Sequence, residues 1–193
     1  MTNIYDGTAN QSHHFGDAYE IAQLEAAGYQ WPKAALENGQ LHPQRRRKYQ
    51  PRFNGGIGIQ LEVRLQKGDK LYRFASQKVA LDDHLRGRWW FDEETCIFLW
   101  SKSGFRNRDQ GFRNAARLAF AVLYEWGDMN RLVTGTLARD FWAIKGTAAP
   151  AKGRGQSIHS PYGLDATQLF VPGGFARSDF SEARMGAITR AVY

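Results

Sequence analysis

Ile59-Gln-Leu-Glu-Val-Arg-Leu65 alternates apolar and polar side chains without a break. Ile59, Leu61, Val63 and Leu65 fall on one side, and Gln60, Glu62 and Arg64 on the other, which is the period of a strand with one buried face. Gly68-Asp69 supplies a turn, and Lys70-Leu-Tyr-Arg-Phe-Ala75 reads as a second strand, so the pair can form a hairpin. Upstream, Gly55-Gly-Ile-Gly58 opens the body of the chain.

Working downstream, residues 77–86 read as a short helix ended by Gly87. Arg88-Trp-Trp-Phe91 and Cys96-Ile-Phe-Leu-Trp100 read as short β segments. The strongest helix signal follows over 109–126. Asn107 or Asp109 can cap it, Phe112, Ala115, Ala116, Ala119, Phe120, Val122, Leu123 and Trp126 form its apolar stripe, and Gly127 ends it. Arg131–Thr136 reads as a connector, 138–144 as a strand, 151–163 as a basic Gly-rich loop, 166–172 as a last strand, and 181–192 as a C-terminal helix. This mixture implies an α+β domain over 55–193.

Residues 1–54 read as an N-terminal extension with one short helix, capped by Asp17 and stopped by Gly28, and a linker holding Arg45-Arg-Arg-Lys48 between Pro43 and Pro51. The net charge is +7, unevenly spread: five acidic residues against Lys33 give −4 over residues 1–40, leaving +11 for the remainder. A basic body with an acidic head implies a phosphate-bearing ligand or partner.

At 193 residues, with 42% hydrophobic and 13% aromatic residues, the chain can bury a sizeable core. One cysteine, Cys96, cannot make an internal disulfide and sits in an apolar run, so it reads as a small buried hydrophobe. A cytoplasmic site of action is expected: no apolar run reaches the roughly 20 residues of a membrane helix, and Met1–Asp6 lacks the features of a Sec signal peptide.

The five histidines, 13, 14, 42, 84 and 159, make no metal-ligand spacing with each other or with Cys96, so no metal is expected. There is no phosphate-binding P-loop. The glycines at 55, 56 and 58 precede a strand where the dinucleotide fingerprint requires a strand before them and a helix after. The serine-hydrolase elbow is also missing.

Three segments carry a family resemblance: Lys70-Leu-Tyr-Arg-Phe74, Gly87-Arg-Trp-Trp-Phe91, and Phe141-Trp-Ala-Ile-Lys-Gly146 followed by a basic glycine-rich loop and Thr167-Gln-Leu-Phe-Val-Pro172. In this order they resemble the ADP-ribosyltransferase-like superfamily of bacterial toxins and the necrotizing-toxin-type NAD⁺ glycohydrolases, over about residues 57–175. The resemblance implies a split, bent antiparallel sheet with flanking helices, NAD⁺ as substrate, and cleavage of the nicotinamide–ribose bond. It places Gln168 in the catalytic position. Arg73 would contact the diphosphate, and Tyr72, Trp89 and Trp90 would lie at the dinucleotide. A macromolecular acceptor, protein or nucleic acid, and a cognate inhibitor protein are the implied partners.

The segment departs from the usual transferase pattern. Gln168-Leu-Phe170 has no carboxylate two residues on, and only Ser101-Lys-Ser103 lies near the place of a Ser-Thr-Ser-like strand. NAD⁺ hydrolysis, or transfer to an acceptor other than protein arginine, is the less affected chemistry. Other readings of the same residues stand beside these. Arg73 also suits an ordinary strand end, one of the adjacent tryptophans must face the core if 88–91 is a strand, and Gln168 also suits a solvent-facing strand position. A basic nucleic-acid-binding module or a phage structural protein would use the same basic body without enzymatic activity.

Overall fold

The computed structural model describes residues 19–30, 36–37, 40–41, 52–104, 107–123, 126–153 and 155–191. The Asp17 cap and the Arg45–Lys48 cluster lie outside them. The elements in chain order are α1 (Tyr19–Ala26), β1 (Tyr29–Gln30), β2 (Leu36–Glu37), β3 (Gln40–Leu41), β4 (Arg52–Phe53), β5 (Leu61–Leu65), β6 (Lys70–Ala75), α2 (Leu81–Leu85), β7 (Trp89–Asp92), α3 (Glu93–Ser101), α4 (Arg108–Ala119), β8 (Arg131–Leu137), β9 (Phe141–Thr147), β10 (Ala151–Gly153), β11 (Gln156–Ile158), β12 (Thr167–Phe170), β13 (Phe180–Gly186) and α5 (Ile188–Ala191).

Seven strands form one curled sheet in the order β13-β8-β6-β7-β12-β9-β5, with every neighbouring pair antiparallel. The fold is thus a mixed α/β arrangement of a curled antiparallel sheet and a few helices. Its two arms meet across a core that joins Leu65 and Phe141 from one end to Val133, Leu137 and Phe180 from the other, around Trp90 and Phe175. A second core lies between Tyr72, Phe91 and Leu132 of the sheet and the helices α3 and α4, which bring Cys96, Leu99, Phe112 and Ala116. A third joins Ala22 and Ala26 of α1 to Ile57, Ile144 and Phe170. α1, drawn from residues 1–54, therefore packs against the body.

β7 pairs with a different strand along each half. Its C-terminal half pairs with β6 through Tyr72↔Phe91 and Leu71↔Asp92. Its N-terminal half pairs with β12 through Trp90↔Leu169 and Trp89↔Phe170. The β6–β7 ladder therefore stops just before Arg73, and the two strands part there.

Several expectations are overturned. β5 and β6 do not pair as a hairpin: β5 adds to β9 at one edge of the sheet, while β6 sits near the middle between β8 and β7. On the alternating stretch, Leu65 is buried and Val63 half-buried, but Ile59 and Leu61 are 65% and 59% exposed, because an edge strand need not cover its whole length. Cys96–Trp100 is helix, not strand. Asp92 Oδ1 accepts the Thr95 N–H at 2.9 Å and caps α3, and Glu93 and Glu94 fill its first turn where acidic side chains favour the helix dipole.

The 109–126 helix begins as expected, with Asn107 accepting the Gln110 N–H, but it ends at Ala119. Trp126 lies beyond it and is 45% exposed, so it is not part of the buried stripe. The 131–136 connector is an interior strand, β8, paired on both sides. The expected C-terminal helix is mostly β13, and only Ile188–Ala191 is helical. Within 151–163, the expected loop holds the β10–β11 hairpin.

Candidate functional site

A cavity of about 530 Å³ opens where β6 and β7 part, within the usual size range of small-molecule sites. Arg73, Trp89, Trp90 and Gln168 all line it, so the four positions come together from β6, β7 and β12. Tyr72, expected at the dinucleotide, is not among the lining residues. It is buried in the second core, stacked on Phe91 at 5.8 Å between centroids, and its hydroxyl donates to Glu93 at 3.4 Å. Burial, with Cys96 and Glu93 nearby, raises the Tyr72 pKa, so the phenol stays protonated.

Arg73 occupies the fork. Its Nη1 donates to the Trp89 carbonyl at 2.7 Å, and its Nε is buried with no hydrogen-bond partner among the described residues. Gly87 makes room for it, because a Cβ at that position would run into the guanidinium. No described carboxylate forms an ion pair with Arg73, and burial pushes its pKa down to about 10, which leaves it cationic at neutral pH. A half-buried cation held by one backbone carbonyl, at the wall of a cavity, is a group that an anion would complete.

The structure separates the two tryptophans, as alternation along a strand requires. Trp90 is 1% exposed; its indole packs on Phe175 and Phe180 and donates to the Gly87 carbonyl at 2.7 Å. Trp89 is half-buried and meets Phe170 edge-on at 5.0 Å, so its ring belongs to the cavity wall. Gln168 is 7% exposed and therefore not a solvent-facing strand residue. Its Nε2 donates to the Phe120 carbonyl at 3.3 Å, while its Oε1 takes no hydrogen bond from a described residue.

The sequence reading missed the far wall. Glu25 lies in the last turn of α1, Gly28 and Tyr29 follow that helix, and Asn54 and Gly56 come from the segment after β4. Gly28 and Gly56 have φ of +82° and +84°, and each sits against the other's backbone neighbourhood, where a side chain would collide. This crossing brings the end of α1 against the Gly55-Gly56 turn; the Ile57 N–H donates to the Ala26 carbonyl at 2.7 Å. Glu25 then pairs with Arg88 at 2.8 Å, and the Arg88 guanidinium lies 5.6 Å from the Phe170 ring centroid. The acidic head and the Gly55-Gly56 turn were visible in the sequence, but nothing in it linked the two.

Trp126 and Met129 close another side, from the segment between α4 and β8. Arg117 of α4 is buried and holds that segment by donating to the carbonyls of Leu123, at 2.9 Å, and Gly127. Among the described residues no cluster of three or more His, Cys, Asp or Glu could hold a metal ion, and no helix is long and apolar enough to cross a membrane. No protein-family model matches the chain, and no curated protein sequence is significantly similar to it.

Proposed function

We propose that this protein consumes NAD⁺ by breaking the nicotinamide–ribose bond, and that its curled sheet is an ADP-ribosyltransferase-like scaffold. One observation carries the reading: at the fork between β6 and β7, a single cavity gathers a guanidinium with no carboxylate partner among the described residues, an aromatic wall and a buried amide, from the three strands on which the resemblance places them.

The chemistry asks for these groups. The C1′–N bond breaks heterolytically, and its electron pair leaves with nicotinamide, which becomes neutral. The ribose C1′ is left as an oxocarbenium-like cation, and water or an acceptor hydroxyl adds to it and releases a proton. With water, the products are ADP-ribose, nicotinamide and H⁺. Arg73 would take the diphosphate through charge-assisted hydrogen bonds. Trp89 would stack on the nicotinamide while that ring is positive. The Gln168 Oε1 would accept from a ribose hydroxyl, because its Nε2 is already engaged with Phe120. No metal takes part in this scheme.

The test is to incubate the purified protein with NAD⁺ and follow nicotinamide by chromatography. Nicotinamide release that Arg73→Ala and Gln168→Ala strongly reduce is the expected result. Arg73→Ala should also raise KM, since ground-state phosphate binding is lost, whereas Gln168→Ala should act mainly on kcat. Release no faster than in buffer would overturn the proposal. A mass increase on added protein or nucleic acid would identify transfer to a macromolecular acceptor.

A further inference from the structure

Gln168 is neutral, and so cannot offset the positive charge that develops on the ribose. The cavity adds the Arg73 guanidinium, whose field opposes a cationic transition state. Among the described residues that line the cavity, Glu25 is the one carboxylate. We infer that Glu25, from the C-terminal end of α1, supplies the negative charge that stabilises the oxocarbenium-like ribose. This inference rests on the NAD⁺ reading above.

The placement supports the role. The Glu25 side chain is 13% exposed, so water screens it weakly, and Arg88 orients its carboxylate through a 2.8 Å ion pair. The same Arg88 sits over Phe170, whose ring meets Trp89. Phe170 and Gln168 are two residues apart on β12 and share a face of the strand. Glu25, Arg88, Phe170 and Trp89 thus form one continuous wall, and Gln168 adjoins it. Residues 19–30 are then a working part of the site, although they lie within the segment that reads as an extension.

Glu25→Gln in the full-length chain keeps the shape and a hydrogen bond to Arg88 but removes the charge. Because the carboxylate acts most on the charge that moves from the nicotinamide ring onto the ribose as the bond breaks, kcat for nicotinamide release should fall about 100-fold with KM within about twofold of wild type. Glu25→Asp, which restores the charge, should recover at least about tenfold of that loss. Calorimetry with ADP-ribose should give the same Kd for wild type and Glu25→Gln, a readout that a collapsed wall would not preserve. Wild-type kcat in Glu25→Gln, or equal losses in the Gln and Asp variants, would overturn the role of Glu25 while leaving NAD⁺ cleavage intact. A wild-type protein that releases no nicotinamide would overturn both.

Discussion

Gly87→Ala tests the placement of Arg73 without touching Arg73. A methyl group at residue 87 would fall inside the guanidinium; restoring an ordinary contact of about 3.5 Å makes the group retreat by about 1.5 Å. That is enough to break the 2.7 Å bond to the Trp89 carbonyl. The backbone at Gly87 does not have the positive φ that would penalise alanine, so the cost falls on the arginine. A charged hydrogen bond contributes about 1.5–3 kcal/mol, but a displaced guanidinium can be hydrated in the cavity, so the net loss of stability should stay near 1 kcal/mol. For a chain of this size that lowers Tm by about 2–4 °C. If Arg73 binds the diphosphate, the same 1.5–3 kcal/mol disappears from substrate binding, and kcat/KM should drop roughly 10- to 150-fold. Gly186→Ala is the control: nothing lies within 4 Å of its Cβ position, and neither Tm nor kcat/KM should change. The assays are nicotinamide release and a thermal melt. Wild-type kcat/KM in Gly87→Ala would refute the reasoning.

Gln168→Ala should lower stability by about 1–2 kcal/mol, because Gln168 is buried and its amide holds the Phe120 carbonyl; a melt indistinguishable from wild type would show that the bond does not form. Asp92→Asn retains an oxygen to cap α3 but loses the ion pair to Lys145. Burial opposes the Asp92 carboxylate, yet the bonds from Lys145 and Thr95 outweigh it and hold the pKa below the ordinary value. A depressed folded-state pKa gives stability above the unfolded pKa that is lost as pH falls through the folded one. Wild type should therefore exceed Asp92→Asn by about 1 kcal/mol at pH 7, and the gap should close as pH falls below about 4; a gap independent of pH would contradict this. Cys96 is buried, and burial together with Glu93 and Asp92 pushes its thiol pKa up to about 12, so it should resist a thiol-disulfide reagent until the protein is unfolded in denaturant.

The sequence alone determined what local pattern can carry. A period of two located β5, and short apolar and aromatic runs located β6, β7 and β12 and thus the strands of Arg73, Trp89 and Gln168. The 3.6-residue stripe and the Asn107 cap located the start of α4. Where the inward positions are small, the pattern fades: β8 alternates in burial from Val133 to Leu137, but Gly135 is one of its buried positions and Leu132 breaks the period, so its sequence shows little contrast between the two faces. Where propensity and pairing conflict, pairing wins. Glu182, Ala183, Arg184 and Met185 favour helix, yet β8 draws them into a strand, and the apolar Thr95–Trp100 run reads as strand until Asp92 caps it as helix.

Which tryptophan faces the cavity, and whether Gln168 is buried, depended on the register of β12 against β7, and register is a relation between distant segments. The fork that receives Arg73 exists only because the β6–β7 ladder stops. Glu25 reaches the same cavity from 63 residues before Arg88, through the close crossing of Gly28 with Gly55-Gly56. Neighbouring residues in a sequence reveal what each side chain can do locally. The site itself was decided by tertiary structure, because its charge balance and its walls come from chain segments that only the packing of α1 on the sheet brings together.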